Sequence, residues 1–458
     1  MIRRLVAAGM SVARINFSHT SEQDVRTLVR AIRDAAGSAG RPVAIMGDLP
    51  GPKLRTGPVE SGPVFLRRGQ KVRLYARRIP TTADRLGVDL RALTRDVRPG
   101  DRLLIDDGSV RLRALDIKRD YVLCHVDVGG QVGATRGLNL PDTRLKLPAL
   151  TRRDRELARL SVRLDLDYLA LSFVRHSRDI LALQRLLRSA GSDLPIIAKI
   201  EKPEALDDLP AIIAASDGVM VARGDLGVEL SAEDVPATQR RILMEAQRQF
   251  KPTIVATQML ESMIDRPSPT RAEVSDVANA VFDGADAIML SGETAVGAYP
   301  VEAVRTMHRV AVKAECVITP DATLEEGQTS PDALVQTAAM AAVRAAGHLG
   351  ARCLVCHTES GRTARMLSMC RPQIPILGLA SSPRILRRLC LYRGVTPWLL
   401  MPGRSYDTAL TEIRRLLLSE KQARPGDLVV LLSATPIRRR GQADTIKFLR
   451  IERPARRH

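Results

Sequence analysis

Aromatic residues are scarce in this chain: Phe, Tyr and Trp make up 3% of its 458 residues, and there is 1 Trp. The hydrophobic cores must therefore be aliphatic, built from Leu, Val, Ile and Ala. The formal net charge of +19 comes mostly from arginine and suits phosphorylated ligands as well as nucleic acid. Compact basic clusters occur at Arg438-Arg439-Arg440 and between Arg453 and Arg457. Because no aromatic residues interleave with them to stack on bases, nucleic-acid binding is the weaker hypothesis.

Cysteines and long apolar runs are also few. Six cysteines in 458 residues do not make a disulfide framework. The segment Cys353-Leu-Val-Cys356-His357 has the spacing of c-type haem attachment, but it is typical of a short buried strand, in which the two sulfurs face opposite sides. We interpret both as core cysteines. Without a membrane-length apolar run or a secretory signal, the expected location is the cytoplasm, with no membrane partner.

The hydrophobic pattern from residue 160 onward alternates strand-like runs with amphipathic helical runs, which is typical of a parallel α/β fold. Helices are predicted at 22–36, 177–189 and 237–249. Seven strands of a TIM (β/α)8-type barrel are predicted, at residues 12–17, 43–46, 167–173, 195–200, 218–221, 253–256 and 285–290. A closed barrel needs eight. The barrel therefore lacks its first strand, which would lie before Met1.

Two further regions interrupt or follow the barrel pattern. Short alternating runs separated by Gly, Pro and Asp predict an inserted all-β lid domain at 57–145; its strands are predicted at 64–66, 71–75, 102–105, 110–115 and 121–126. A polar linker is predicted at 319–331, followed by a C-terminal α/β domain at 332–458 with strands at 354–357, 374–379, 396–401, 428–432 and 445–451. The barrel itself is expected at 1–56 and 146–318.

The strand at 195–200 carries charges where a buried strand should be apolar. Lys199 and Glu201 lie two residues apart, so both side chains point to the same face, and burying them is unfavourable unless they serve one another, a metal or an anion. The next strand ends in Gly224 and Asp225, a second carboxylate at the same end of the sheet. Two carboxylates suit Mg²⁺, and the lysine suits a phosphate or a developing enolate. The alternative is a buried ion pair, which does not account for Asp225.

The order of motifs along essentially the whole chain resembles pyruvate kinase. The motif Ala198-Lys199-Ile200-Glu201, at the end of the predicted strand at 195–200, is one of several that match that family in sequence order. The others are Ser11-Val-Ala-Arg14-Ile-Asn16-Phe-Ser18-His19, Gly47-Asp48-Leu49-Pro50-Gly-Pro-Lys53-Leu-Arg55, Ala170-Leu-Ser172-Phe173, Ala222-Arg223-Gly224-Asp225, Ala256-Thr257-Gln258-Met259, Pro269-Thr-Arg-Ala-Glu-Val-Ser-Asp, Ser291-Gly-Glu-Thr-Ala and Thr358-Glu-Ser-Gly-Arg-Thr-Ala.

This resemblance implies phosphoryl transfer from phosphoenolpyruvate to ADP, giving pyruvate and ATP, with Mg²⁺ as cofactor. It implies that Glu201 and Asp225 bind the metal and that Lys199 stabilises the moving phosphoryl group and the enolate. The substrate carboxylate would meet the N–H groups of Gly224 and Asp225, with Thr257, which is also a candidate route for enolate protonation. Arg14 would grip the phosphate. The implied nucleotide-facing residues are Asn16, Ser18, His19, Arg55 and Arg136.

One departure from the family concerns potassium. Potassium-dependent members have a glutamate where this chain has Lys53, and bind K⁺ through residues that correspond to Asn16, Ser18, Asp48 and Leu49. The resemblance is to the independent type, in which the ammonium of Lys53 replaces K⁺, and Leu49, in place of the usual threonine, points the same way. We therefore expect that K⁺ is not required. The alternative is an exposed loop lysine without this role.

A second departure is the absent first strand with its nucleotide-binding loop. A gap in a barrel exposes two sheet edges, so we expect a start upstream of Met1; the alternative is a truncated, inactive or repurposed enzyme. The resemblance also implies a homotetramer and a phosphorylated effector at Thr358, Ser360, Gly361, Arg362 and Thr363, where an ordinary strand-to-helix turn is the alternative. Two competing functions stay open: another Mg²⁺-dependent barrel enzyme of enol or keto-acid chemistry, and a non-catalytic nucleic-acid-binding protein.

Overall fold

The computed structural model describes residues 1–18, 20–59, 62–90, 92–145, 147–318, 332–401, 406–434 and 443–452. The strands in these parts, in chain order, are β1 Val12–Asn16, β2 Ala44–Leu49, β3 Val64–Leu66, β4 Lys71–Tyr75, β5 Arg85–Gly87, β6 Arg102–Ile105, β7 Val110–Ile117, β8 Tyr121–Val128, β9 Gly130–Val132, β10 Leu138–Asn139, β11 Tyr168–Leu171, β12 Ile196–Ile200, β13 Gly218–Ala222, β14 Thr253–Ala256, β15 Ala287–Met289, β16 Cys353–His357, β17 Ile376–Ala380, β18 Val395–Leu399, β19 Leu428–Ser433 and β20 Thr445–Arg450.

The α-helices of the same parts, in chain order, are α1 Ile2–Ala8, α2 Glu22–Ser38, α3 Leu93–Asp96, α4 Arg152–Arg163, α5 Ser177–Ser189, α6 Glu204–Asp207, α7 Leu209–Ala215, α8 Arg223–Glu229, α9 Val235–Arg248, α10 Arg271–Phe282, α11 Gly292–Ala295, α12 Pro300–Glu315, α13 Ala333–His348, α14 Arg362–Met369, α15 Pro383–Leu389 and α16 Tyr406–Ser419. Short 3₁₀ turns lie at Ala232–Asp234 and Glu261–Ile264. In the described ranges, none of these helices combines the length and the apolar character that a membrane crossing requires.

Seven parallel strands form the largest sheet, in the order β1-β2-β11-β12-β13-β14-β15. Each strand pairs with the next one along the chain outside the lid, as in a (β/α)8 barrel, and the predicted barrel fold is confirmed. Within the described residues, no pairing joins β15 to β1. The two strands that border this gap are more open than the others: all three residues of β15 are half-buried, whereas every residue of β12 is buried.

Alternation along the barrel strands separates two apolar layers. The outward-facing side chains pack under the helices, and this outer layer includes Ile45 and Leu49 of β2. The inward-facing side chains form the barrel interior, and Leu391, which follows α15, packs against it at the end where the strands begin. The interior layer contains Ala44, Met46, Tyr168, Ala170, Ile197, Met220, Ile254 and Ala256. Aliphatic cores of this kind agree with the low aromatic content.

The lid, between β2 and α4, is mainly β, as predicted, but it also contains the short helix α3. Its main sheet has the order β10-β6-β7-β8-β4-β5, and β3 pairs with β9. Strand β7 alternates buried and exposed residues, which is why the period of two predicted it. Strands β5, β9 and β10 were not predicted; runs of two or three residues give little alternation to detect, although β3, also three residues long, was predicted.

The C-terminal sheet has the order β18-β17-β16-β19-β20, parallel except for the last pair. Cys353 packs on one side of this sheet and Cys356 on the other, as the strand alternation predicts, and both are free thiols. Burial raises the pKa of Cys356 to about 12, so this thiol stays protonated. The predicted linker at 319–331 and the basic clusters at 438–440 and 453–457 lie outside the described residues.

Candidate functional site

The candidate site lies where the barrel strands end. Arg14 is in β1, Asp48 in β2 and Lys199 in β12. The other side chains follow their strands directly: Ser172 after β11, Glu201 after β12, Asp225 in α8 after β13 and Thr257 after β14. Because the carboxyl ends of parallel strands lie at one edge of the barrel, residues up to 243 positions apart in the sequence share one site.

Lys199 is the centre of the site and is only 7% exposed. Its ammonium lies 2.7 Å from Glu201 Oε1 and 3.3 Å from Asp48 Oδ1. It also donates to Ser172 Oγ at 2.7 Å. Burial lowers the pKa of Lys199, but the charges of Asp48 and Glu201 outweigh burial, so the pKa is raised above its ordinary value. The two-residue spacing correctly predicted that Lys199 and Glu201 share a face, and the ammonium stays charged.

Asp48 connects the lysine to Arg14. Its Oδ2 accepts a hydrogen bond from Arg14 Nε at 2.7 Å and lies 2.5 Å from a second guanidinium nitrogen. Its Oδ1 accepts from Ser172 Oγ at 3.3 Å. Burial raises the pKa of Asp48, but Lys199 and Arg14 outweigh burial and lower it. Sequence reasoning assigned Asp48 only to a potassium site; the structure makes it the shared anion between two cations.

Both carboxylate oxygens of Glu201 have protein partners. Its Oε2 accepts the backbone N–H of Phe173 at 2.8 Å, and Phe173 itself has a left-handed backbone with φ 55°. Burial raises the pKa of Glu201, and the nearby charge of Asp225 adds to the rise, although Lys199 opposes it. Two cations, Lys199 and Arg14, thus face three carboxylates, those of Asp48, Glu201 and Asp225. The region is short of positive charge.

This shortage fits a divalent cation. In the described parts of the chain, no three His, Cys, Asp or Glu side chains form a group that could hold a metal by themselves. Mg²⁺ nevertheless needs only one or two protein carboxylates when substrate oxygens and water complete its six positions. Glu201 and Asp225 are two such carboxylates, and their charges lie close enough to act on each other.

Thr257 follows β14 in a strained conformation. Its φ is 71° and that of Gln258 is 55°, a left-handed backbone that β-branched residues rarely adopt. Its hydroxyl donates to Ala256 O at 2.6 Å and accepts the N–H of Gly224 at 2.7 Å. The turn after β14 therefore touches the start of α8, and Thr257 contacts Gly224, the residue before Asp225.

Arg223 is a residue of this site to which sequence reasoning gave no role. It is 8% exposed, and its guanidinium donates to the carbonyl of Thr257 at 2.7 Å. It also donates to Gln258 O at 3.3 Å and pairs with Asp276 Oδ1 at 2.7 Å. The available signal was an arginine at the end of an apolar strand, Val-Met-Val-Ala-Arg, where burial requires partners.

The predicted nucleotide-facing residues are divided between barrel and lid. Asn16 ends β1, and its Oδ1 accepts the N–H of Ser18 at 3.1 Å; His19 lies outside the described residues. Arg55 donates to Thr135 O at 3.1 Å, and Arg136 lies 3.5 Å from Asp106. Both arginines thus make lid contacts, and among the described residues neither forms a hydrogen bond or salt bridge with the Lys199 cluster.

The potassium-related residues are also separated. Leu49 is fully buried in the outer apolar layer, so its side chain faces away from the site. Lys53 is exposed and lines an open cleft between lid and barrel, and a Cβ added at Gly137 would lie 3.6 Å from Lys53 Cε. Within the described ranges, Lys53 takes part in no salt bridge. The cleft is lined by Pro52, Lys53, Leu54, Leu138, Asn139, Leu140, Thr143, Leu145, Leu147, Phe173, Arg175, Lys202, Glu204 and Asp225.

Two barrel side chains hold the lid at this cleft. Glu229 Oε1 accepts from Asn139 of the lid at 2.7 Å and from Lys202 at 2.5 Å. Arg175 donates to the carbonyls of Leu145 and Leu147, on the segment that returns from the lid to the barrel. These contacts fix both the last lid strand and the returning chain relative to the strand ends.

The predicted effector loop lies between β16 and α14, away from the Lys199 cluster. Gly361 has φ 86°, and its N–H donates to Thr358 Oγ1 at 2.9 Å. The N–H of Arg362 donates to Ser360 Oγ at 3.4 Å, while its guanidinium pairs with Asp332 at 3.1 Å. Thr363 is buried in the first turn of α14. The hydroxyl-rich turn is therefore formed, and the N–H groups of Gly361 and Arg362 bond to its own hydroxyls.

Comparison with known proteins agrees with this geometry. The family model for the pyruvate kinase barrel domain matches residues 1–304, and that for the pyruvate kinase alpha/beta domain matches residues 336–449. A pyruvate kinase of Mycobacterium tuberculosis is 40% identical over 452 residues, 98% of this chain and 95% of that protein. A pyruvate kinase of Corynebacterium glutamicum is 41% identical over 435 residues, 95% of this chain and 91% of that protein.

A solved structure shows the same overall similarity. A crystal structure of a pyruvate kinase from Cryptosporidium parvum matches this fold with a TM-score of 0.92 at 32% sequence identity. The match covers 98% of this chain and 92% of that chain. The similarity therefore extends over barrel, lid and C-terminal sheet together.

Proposed function

This chain belongs to the pyruvate kinase family, and from that premise we propose that it transfers a phosphoryl group from phosphoenolpyruvate to ADP, giving pyruvate and ATP. The observation that carries the proposal is the buried ammonium of Lys199, held between Asp48, Glu201 and Ser172 at the carboxyl end of the barrel. Phosphoryl transfer depends mainly on positioning and on neutralising charge. A buried cation held between carboxylates is suited to both.

Lys199 and Arg14 supply the positive charge of the proposed site. Lys199 would stabilise the charge on the transferring phosphoryl group and then the enolate oxygen that remains. Arg14 is 24% exposed on its side chain and is fixed through Asp48, so part of its guanidinium stays accessible to the substrate phosphate. Because Asp48 bonds to both cations, their spacing is set before substrate binds.

The family uses a divalent metal, and we propose Mg²⁺ held by Glu201 and Asp225. When bound, the ion would neutralise charge on substrate oxygens. Glu201 keeps its orientation through Phe173 and Lys199. Asp225 approaches from α8, next to the N–H of Gly224.

The substrate carboxylate would bind at the N–H groups of Gly224 and Asp225 beside Thr257. In the structure the N–H of Gly224 donates to Thr257 Oγ1, so an incoming carboxylate would take over that N–H and release the hydroxyl. The Thr257 hydroxyl, with water, is our candidate for protonating the enolate at carbon. For the nucleotide we propose Asn16, Ser18, His19, Arg55 and Arg136, the last two brought in by movement of the lid.

A direct assay tests the proposed function. Purified chain should convert phosphoenolpyruvate and ADP to pyruvate and ATP, and omission of ADP or chelation of Mg²⁺ should remove the activity. Pyruvate formation that does not need ADP would instead favour another enol-chemistry barrel enzyme. Salt-sensitive DNA binding without ATP formation would favour the nucleic-acid-binding alternative.

We also propose that K⁺ is not required, because Lys53 places a cation at the cleft and the Leu49 side chain packs away from the site. Activity in tetramethylammonium buffer should change less than about twofold when K⁺ is added, whereas the K53E variant should become strongly K⁺-dependent. Loss of nearly all wild-type activity without K⁺ would contradict the proposal that K⁺ is not required.

Four finer proposals rest on the family. A phosphorylated effector would bind at Thr358, Ser360, Gly361, Arg362 and Thr363, and activity measured against a panel of sugar phosphates tests this.

A homotetramer would give a mass of about 200 kDa by light scattering, four times the 50.1 kDa chain. Cytoplasmic location is testable by fractionation. The boundaries at 57–145 and 332–458 are testable by limited proteolysis.

A further inference from the structure

The turn after β14 contains two consecutive residues in left-handed conformation, Thr257 and Gln258, with φ of 71° and 55°. Neither is glycine, and Thr257 is β-branched, so the turn does not persist through its own preference. Backbone of this kind points its carbonyls away from strand and helix partners, and carbonyls in a buried site need donors. Surrounding groups must therefore hold the turn.

Arg223 supplies those donors. One guanidinium nitrogen lies 2.7 Å from Thr257 O and 3.3 Å from Gln258 O, and Nε lies 3.3 Å from Thr257 O. The terminal nitrogen that contacts both carbonyls also lies 2.8 Å from Met259 Sδ. The third nitrogen pairs with Asp276 Oδ1 of α10 at 2.7 Å, which fixes the plane of the guanidinium. A planar fork can bridge two carbonyls and a carboxylate at once, whereas an ammonium cannot keep this geometry.

Gly224, the residue after Arg223, contacts the same threonine. The N–H of Gly224 donates to Thr257 Oγ1, so residues 223 and 224 hold the carbonyl and the hydroxyl of the same threonine. On the other side of the turn, Glu293 accepts the N–H of Leu260 at 3.1 Å. Rotation of Thr257 out of its left-handed conformation would break the Arg223 contacts and move the hydroxyl.

We propose that Arg223 is a positioning residue for the reaction: through the carbonyls of Thr257 and Gln258 it holds the Thr257 hydroxyl at the substrate position. This inference rests on the proposed function. It assigns Arg223 no contact with substrate. Its effect should therefore appear in kcat and in proton exchange at pyruvate carbon, more than in the KM for ADP, and it should vanish when the Thr257 hydroxyl is already absent.

The test uses the full chain with R223K, T257V and the double variant. R223K should lower kcat about 10- to 100-fold, and it should slow exchange of pyruvate methyl protons for deuterium, followed by proton NMR with Mg²⁺ and inorganic phosphate, by a similar factor. The double variant should be no slower than T257V alone, because both changes remove one function.

R33K is the matched control. Arg33 also bridges backbone carbonyls, those of Val43 and Asp165, and a carboxylate, Asp167, but at the opposite end of the barrel. R33K should leave kcat and exchange within about twofold of wild type. If R223K is poorly folded, D276N replaces it, because Asp276 is 36% exposed on its side chain, and a kcat loss of about two- to tenfold is expected.

The outcomes separate the two proposals. Wild-type chain that lacks both ATP formation and proton exchange overturns the proposed function, and this inference with it. Active wild-type chain with an R223K or D276N variant that matches it overturns the inference alone. Equal losses in R33K and R223K, or additive losses in the double variant, mean that Arg223 acts only through general stability and also contradict the inference.

Discussion

At the residue scale, the site is organised by unequal sharing of charge. Asp48 has two cations, Arg14 and Lys199, and its pKa is lowered in spite of burial. Glu201 has one cationic partner, Lys199, which it shares with Asp48, and it lies near the carboxylate of Asp225. Its pKa is raised by burial and by that second carboxylate. Asp48 therefore acts as a permanent structural anion, and the Glu201 side remains available to a cation that arrives with substrate.

The K199R variant tests this arrangement. Arginine keeps the positive charge near Asp48 and Glu201, so folding should be retained, but its planar fork cannot put a point charge at the ammonium position. We expect kcat to fall by about 100-fold or more, with a smaller change in the KM for phosphoenolpyruvate. Steady-state kinetics with circular dichroism as a folding check decide it. A kcat within a few-fold of wild type would contradict the role given to Lys199.

At the scale of elements, close backbone contacts fix the lid to its hinge. Gly57 lies just beyond the barrel, and its N–H donates to Gly87 O at 2.8 Å. A Cβ placed on Gly57 would lie 1.9 Å from the backbone oxygen of Ile79. Glycine is required there by the approach of two backbones, and the sequence alone gives no sign of it, because Ile79 is a neighbour only after the lid has folded.

The G57A variant should therefore destabilise the lid. The expected loss in the free energy of unfolding is about 2 kcal/mol, the usual cost of forcing extra atoms into a packed region. Thermal unfolding measures it, and the KM for ADP should rise because the lid arginines are displaced. The matched control is G37A near the end of α2, where an added Cβ meets nothing within 4 Å. G37A should be neutral or slightly stabilising, by about 0.5 kcal/mol.

At the scale of the whole molecule, helix α15 fastens the C-terminal domain to the beginning of the barrel strands. Arg387 lies 2.7 Å from Asp167 and 2.5 Å from Asp165. Tyr168, inside the barrel, donates its hydroxyl to Arg388 O at 2.6 Å. The contact is continuous with the barrel interior, since Leu391 packs there. Effects in the C-terminal domain thus have a physical connection to the barrel.

The R387L variant should weaken this junction. We expect a loss of about 1–3 kcal/mol, because Asp167 is fully buried but keeps Arg33 and the N–H of Ile45 as partners. The matched control R384L removes only pairs with exposed carboxylates, those of Asp193 and Asp165, which are 75% and 61% exposed on their side chains, and should cost less than about 1 kcal/mol. Calorimetry of both variants gives the comparison. Equal effects would show that the Arg387 pairs do not carry the junction.

The sequence by itself determined the elements and the core of the site. Apolar strand-like runs that alternate with helical runs predicted the seven barrel strands, and the spacing of Lys199 and Glu201 predicted their shared face, because both depend on regularities within one segment. Only the tertiary structure decided which distant groups meet: that Asp48 lies between Arg14 and Lys199, that Arg223 holds the turn at Thr257, and that Arg55 and Arg136 contact the lid. Those contacts depend on how barrel, lid and loops pack in space, which no local pattern encodes.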